Sequence, residues 1–178
     1  MKLKRIHIKD STFRIPIEIV SGDINDTKIE KLGWLTFGYS YVVDSKGQPY
    51  AGRYKDYYGS IDFYFNETFM IGVRRNYANH ISEGITKGWG ENIAGTIFGK
   101  CYSVSDVYRG THGMMMWVKL PNDCMDRDFR FMLWGSDLHA PKPYGDFCVS
   151  KENAKQLLDA LEYYQNCLAD ITANSKRT

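Results

Sequence analysis

The carboxyl-terminal part of the chain carries its clearest structural pattern. Residues 147–171 read FCVSKENAKQLLDALEYYQNCLADI. Three apolar residues typical of a strand lead into Ser150, whose hydroxyl can accept hydrogen bonds from the first turn of a helix. Apolar side chains then recur at spacings of three and four, which predicts one continuous face of an α-helix over 151–170. An apolar helix face of this kind is expected to pack against a sheet. The face consists of Ala154, Leu157, Leu158, Leu161, Tyr164, Leu168 and Ile171.

The chain before this helix is rich in strand patterns. Apolar residues alternate over 13–19 and 34–43. Two short apolar strands are predicted at 61–65 and 69–73, and the polar connection 66–68 between them predicts an antiparallel hairpin. Asp44-Ser45-Lys46-Gly47 predicts a turn. Pro16 cannot donate to a ladder, so its strand should lie at a sheet edge or carry a bulge. Further strands are predicted over 96–107, 113–120 and 128–134.

Glycine and proline mark the predicted interruptions. Apolar residues repeat every four positions after residue 77, but glycines intervene, so we expect a short helix near 77–87 followed by a loop. The stretch 135–145 contains two prolines and two glycines and predicts a loop. Residues 172–178 are polar and should form a frayed tail.

Together these patterns predict an α+β fold. We expect a mostly antiparallel β-sheet of six or more strands, with the C-terminal helix packed on one face and one short middle helix. A length of 178 residues suits a single domain spanning 1–178. The formal net charge of +2 favours neither nucleic acid nor a highly charged surface as the partner. The sequence contains no run of about eighteen apolar residues, so no membrane span is predicted.

The titratable residues form no recognisable catalytic or metal motif. The four histidines, at positions 7, 80, 112 and 139, have no second His or Cys at zinc-site spacing, so we expect neither a metal nor a cofactor. The four cysteines, at positions 101, 124, 148 and 167, include no Cys-x-x-Cys pair, and the amino terminus lacks the pattern of an export signal. This combination predicts reduced thiols and a cytoplasmic location.

An enzymatic alternative remains open at this point. Cys101, His112 and an aspartate can meet in space even though they are distant in sequence. More generally, a small hydrolase or transferase would use His112 or His80 with a cysteine or a carboxylate. In that case the structure should show a histidine within about 3.2 Å of its partner, in a pocket.

Aromatic residues are the strongest candidates for a binding surface. Thirteen tyrosines and four tryptophans are an unusually large amphipathic complement, and both residue types are enriched in protein interfaces. Three tyrosines lie beside charged residues around 53–58, and one tryptophan lies in a second segment around 88–95. An alternative is that they cover the open face of the sheet. The predicted partner-binding residues are Tyr54, Asp56, Tyr57, Tyr58, Trp89 and Glu91.

A strand followed by VSKENAKQLLDAL at 149–161, in a small strand-rich chain, resembles the small immunity proteins of bacterial polymorphic-toxin and contact-dependent growth inhibition systems. The resemblance implies a non-enzymatic protein that binds one cognate toxin in the cytoplasm and blocks its active site. A phage or plasmid accessory protein that inhibits a host defence enzyme is an alternative, because both functions require only a complementary surface.

Overall fold

In the part of the chain that the structure describes, one antiparallel sheet and one long helix form the framework. The computed structural model describes residues 2–21, 28–50, 59–74, 82, 101–105, 112–119, 129–137 and 140–175. Within them, eight strands form one sheet in the order β4-β3-β2-β1-β8-β7-β6-β5. The elements are β1 (Lys4–Ser21), β2 (Lys28–Val43), β3 (Gly59–Phe65), β4 (Thr68–Arg74), β5 (Cys101–Ser105), β6 (His112–Lys119), β7 (Phe129–Asp137), β8 (Ala140–Val149) and α1 (Lys151–Ser175). The predicted α+β fold, with six or more antiparallel strands and a C-terminal helix, is confirmed.

Helix α1 begins where the sequence predicts. The Asn153 N–H donates to Ser150 Oγ at 3.1 Å, so Ser150 is the N-cap. The predicted apolar stripe packs on the sheet through contacts with β1, β2, β3 and β8. The Tyr164 ring stacks on Phe37 with the centroids 5.4 Å apart. The helix continues to Ser175, beyond the predicted end at 170 and into the segment expected to fray. None of the described helical residues form a helix long and apolar enough to cross a membrane.

Strands β1 and β2 form a long hairpin that is irregular at two points. Their register shifts between Asp10 and Ile15, and again between Ile19 and Val20. The strand that contains Pro16 therefore carries the predicted irregularity, although it lies inside the sheet. Pro16 is tolerated there because, among the described residues, β1 pairs with β8 at Glu18 and Ile19 alone.

The hairpin between β3 and β4 confirms the predicted short connection. Its two turn residues, Asn66 and Glu67, have φ angles of 46° and 71°. Positive φ at both positions is typical of the two-residue turns whose twist matches the flanking strands. The Asn66 side-chain oxygen also accepts the Trp34 N–H at 3.1 Å, which ties this turn to β2.

The predicted loop over 135–145 is wrong. Strand β7 continues to Asp137 and β8 begins at Ala140, with Pro141 paired to Ser136. Both prolines of β8 lie where the strand has β7 as a neighbour and no described pairing with β1, so their missing N–H groups interrupt no ladder on that side.

Two other predictions depend on undescribed parts of the chain. The middle helix expected near 77–87 falls outside the described residues except for Ser82, which is helical, so a helix of that length is not seen in the part of the chain that the structure describes. The organisation of 1–178 as a single domain stays a prediction.

Candidate functional site

The residues predicted to bind a partner lie outside the described residues. This applies to Tyr54, Asp56, Tyr57, Tyr58, Trp89 and Glu91, and also to His80, His139 and Cys124. Their roles stay predictions. Cys101 and His112 are described as strand positions, and Cys101 pairs with Met116 on β6. Four residues along a strand correspond to about 13 Å, so the register keeps Cys101 and His112 apart.

The structure instead brings together polar residues on the face of the sheet opposite α1. Asp62 lies between Ile61 and Phe63, which are completely buried in the core, so its side chain projects from the other face. It is nevertheless 2% exposed. We call the group formed around it the Asp62 cluster, which consists of Arg5, His7, Ser40, Ser60 and Asp62.

Small residues on β2 allow side chains from β1 and β3 to meet across it. Asp62 is paired with Gly38, and His7 is paired with Ser40. A Cβ atom at Gly38 would collide with the carbonyl oxygen of Ile8, so this position requires glycine. The absent and short side chains on β2 leave room for the His7 ring to reach the Asp62 carboxylate.

A chain of hydrogen bonds connects a guanidinium group to this buried carboxylate. Arg5 Nη1 donates to Ser40 Oγ at 3.1 Å, and Ser60 Oγ donates to Asp62 Oδ1 at 3.0 Å. The two serine hydroxyls lie 2.7 Å apart. Because guanidinium is only a donor and an ionised carboxylate only an acceptor, the hydroxyls are oriented from Arg5 towards Asp62.

His7 lies over the second carboxylate oxygen. Its Nδ1 atom is 3.6 Å from Asp62 Oδ2, and its side chain is 59% exposed. Oδ2 is buried and accepts no hydrogen bond. Burial raises the pKa of Asp62, whereas the Ser60 hydrogen bond and the neighbouring His7 and Arg5 oppose that rise. The buried carboxylate thus lies beneath the exposed side chains of Arg5 and His7, and it is connected to Arg5 through the hydroxyls of Ser60 and Ser40.

Further charged and aromatic side chains extend this face of the sheet. Arg5, His7 and Lys9 alternate along β1 and are all exposed, and we call them the basic row. Lys9 Nζ is 4.8 Å from the centroid of the Tyr64 ring, and the Arg14 guanidinium is 3.9 Å from that of Trp34. The face therefore combines exposed cations with aromatic rings that they cover.

The arrangement does not match a nucleophile and its base. The histidine found beside a carboxylate is His7, whereas the sequence indicated His80 or His112, and its 3.6 Å separation exceeds a hydrogen bond. Ser40 and Ser60 bond to each other and to Asp62 below the ring. Among the described residues, no group of three His, Cys, Asp or Glu side chains can hold a metal ion.

An apolar groove lies where the β1–β2 hairpin meets the end of β8 and the start of α1. It has a volume of about 410 Å³, and its lining includes Pro16, Ile29, Leu32 and Asn153. Leu32 is 69% exposed and Ile29 is 41% exposed. Asn153 on α1 donates to the Pro16 carbonyl at 3.2 Å, which fixes the helix against one wall of the groove.

Sequence reasoning missed the Asp62 cluster, although two signals were present. Arg5, His7 and Lys9 alternate with Ile6 and Ile8, which is a strand pattern with one basic side. The other signal is the aspartate inside the apolar run IDFYF at 61–65. Neither signal indicates which strands become neighbours.

Two cysteines whose burial is described, Cys148 and Cys167, are both free thiols. Cys148 is buried and Cys167 is half-buried, and neither forms a disulfide. Burial raises the pKa of the Cys167 thiol. The expectation that all four cysteines are reduced stays a prediction.

Comparison with known proteins found no match: no protein-family model, curated protein or solved structure is similar to this chain.

Proposed function

We propose that this chain is a non-enzymatic protein that functions by binding another protein in a stoichiometric complex. The most concrete form of the proposal is an immunity protein that acts in the cytoplasm and blocks the active site of a cognate toxin. The observation that carries the proposal is the Asp62 cluster, in which a buried carboxylate lies beneath the exposed side chains of Arg5 and His7.

The energetic argument favours a role in recognition. Burying a carboxylate costs free energy, and the raised pKa of Asp62 reflects that cost. Groups with perturbed pKa values occur frequently at functional sites. Arg5 is therefore restrained by its hydrogen bond to Ser40 before a partner arrives, which reduces the entropy lost on binding.

Exposed apolar residues on the β1–β2 and β3–β4 hairpins support a protein partner. Leu32 and Ile29 border the groove, and Phe69 is exposed beside Tyr64 on the β3–β4 hairpin. Protein interfaces combine apolar contacts with a polar rim. A small-molecule enzyme would instead be expected to direct its polar groups into an enclosed pocket.

Co-expression with the product of the gene immediately upstream tests the proposal. We expect the tagged protein to copurify with that product in a 1:1 complex and to suppress its toxicity. Charge reversal by Lys9→Glu should weaken the complex, while Lys155→Glu, on the exposed side of α1, is the matched control.

Two results would contradict parts of this proposal. The absence of any complex with a toxic neighbour would count against the immunity function. Isolation of a complex with a host defence enzyme would retain the binding function but replace the immunity role with that of an accessory inhibitor.

A further inference from the structure

The basic row contains more positive charge than the buried carboxylate can neutralise. Arg5 and Lys9 are cationic, and His7 adds a third positive charge when it is protonated. Asp62 is the acidic residue of the cluster and lies beneath the row, 2% exposed. Its contacts with His7 and, through Ser40 and Ser60, with Arg5 leave both side chains exposed.

The spacing of the row suits an extended chain. Alternate residues of a strand are about 6.6–6.8 Å apart, and this separation applies to Arg5, His7 and Lys9. An extended partner segment with acidic residues at every second position has the same period. Its carboxylates would meet the three basic side chains in register when the segment runs along β1 on this face of the sheet.

The aromatic rings on this face distinguish between two classes of anionic partner. Single-stranded nucleic acids bind by stacking bases on open aromatic faces. Here Lys9 lies over the Tyr64 ring at 4.8 Å, and Arg14 lies over the Trp34 ring at 3.9 Å. Because cations already occupy these ring faces, the surface favours carboxylate groups of a protein.

We propose that the Asp62 cluster and the basic row form a recognition site for an extended acidic segment of the protein partner, with alternate Asp or Glu side chains contacting Arg5, His7 and Lys9. This inference rests on the proposed function, since it specifies the chemistry of the protein partner. The site differs from the predicted aromatic segments around 53–58 and 88–95.

Binding of defined peptides to the full chain tests this site. The probe is a fluorescently labelled peptide with glutamate at alternate positions. Its controls are the same peptide with glutamine in place of glutamate, and a single-stranded oligothymidylate. Fluorescence anisotropy should detect binding of the glutamate peptide that weakens as salt increases, while the glutamine peptide should not bind.

Substitutions locate the binding surface. Lys9→Gln should weaken peptide binding by about 5-fold, because it removes one exposed ion pair and leaves the Asp62 hydrogen bonds intact. Arg5→Gln should weaken binding at least as much. Lys155→Gln changes the same formal charge on α1 and should leave binding unchanged. Denaturant titration of each variant establishes that the fold is retained.

The outcomes separate this inference from the proposed function. Equal binding of the peptide by wild type, Lys9→Gln and Arg5→Gln would overturn the site, as would tighter binding of the oligothymidylate than of the glutamate peptide. If a protein partner is captured equally well by these variants, the binding function stands and the site is wrong. If the peptide binds at the basic row but no protein partner is captured, the site stands and the immunity function fails.

Discussion

Substitution of Leu161 tests whether α1 forms the cover of the sheet. Leu161 is 0% exposed and belongs to the core cluster that α1 shares with the sheet. Leu161→Ala removes three carbon atoms, which corresponds to about 2.4 kcal/mol of lost transfer free energy at roughly 0.8 kcal/mol per carbon. The cavity adds to this cost because Leu157 and Tyr164, which are also fully buried, restrict collapse around it. We expect the free energy of unfolding to fall by about 3–4 kcal/mol.

Urea denaturation followed by circular dichroism and tryptophan fluorescence measures this change. Leu158→Ala, at a half-buried position of the same stripe, should cost less, and Glu162→Ala, at the neighbouring exposed position, should change stability by less than about 0.5 kcal/mol. The reasoning is refuted if Leu161→Ala costs under about 1 kcal/mol, or no more than Glu162→Ala, because α1 would then not bury this side chain against the sheet.

Three further substitutions test the carboxylate, the turn and the helix cap. Burial raises the pKa of Asp62 above its ordinary value of 3.8, so the folded protein binds a proton that the unfolded chain has already lost. Wild type should therefore lose stability relative to Asp62→Asn as pH rises from below 3.8 through the raised value. A difference in unfolding free energy that does not vary with pH would contradict this. Glu67→Gly should raise the melting temperature by relieving the φ of 71°, with a gain of up to about 1 kcal/mol, and a lower melting temperature would count against the strain. Ser150→Ala should cost about 1 kcal/mol in denaturant titration because the Asn153 N–H loses its acceptor, whereas Ser150→Asn should retain most of the stability; equal stability of wild type and Ser150→Ala would exclude a contribution from the cap.

The elements that the sequence predicts well are those with a strong local period. The stripe from Ala154 to Leu168 indicates a helix because its spacing follows the helical repeat, and those two residues are buried as expected. The short polar connection at 66–68 indicates the hairpin for a similar local reason. Local spacing does not determine where a helix ends. The predicted end at 170 is therefore too early, and α1 continues to Ser175.

The incorrect loop at 135–145 shows where local signals fail. Pro141 and Pro143 disfavour a strand when both of its edges must pair. In the sheet, this part of β8 pairs with β7 and has no described pairing with β1, which makes the prolines compatible with a strand. The number of neighbours of a strand is a tertiary property that these residues do not encode locally.

The Asp62 cluster is the clearest case of a site that required the tertiary structure. Its members come from β1, β2 and β3, and the pairing of His7 with Ser40 and of Gly38 with Asp62 determines which side chains meet. A shift of one residue in either register would direct these side chains to the opposite face. The basic row was visible in the sequence as an alternation, but its buried counter-charge was not.

The sequence by itself determined the α+β class, the C-terminal helix with its Ser150 cap, and most of the strands, because helical and strand periods are local properties of the chain. Only the tertiary structure decided the strand order, the strand in place of the predicted loop, and the burial of Asp62 beneath Arg5 and His7. These features depend on the pairing of residues that are distant in sequence, and the free energy of that pairing comes from neighbours that no local pattern specifies.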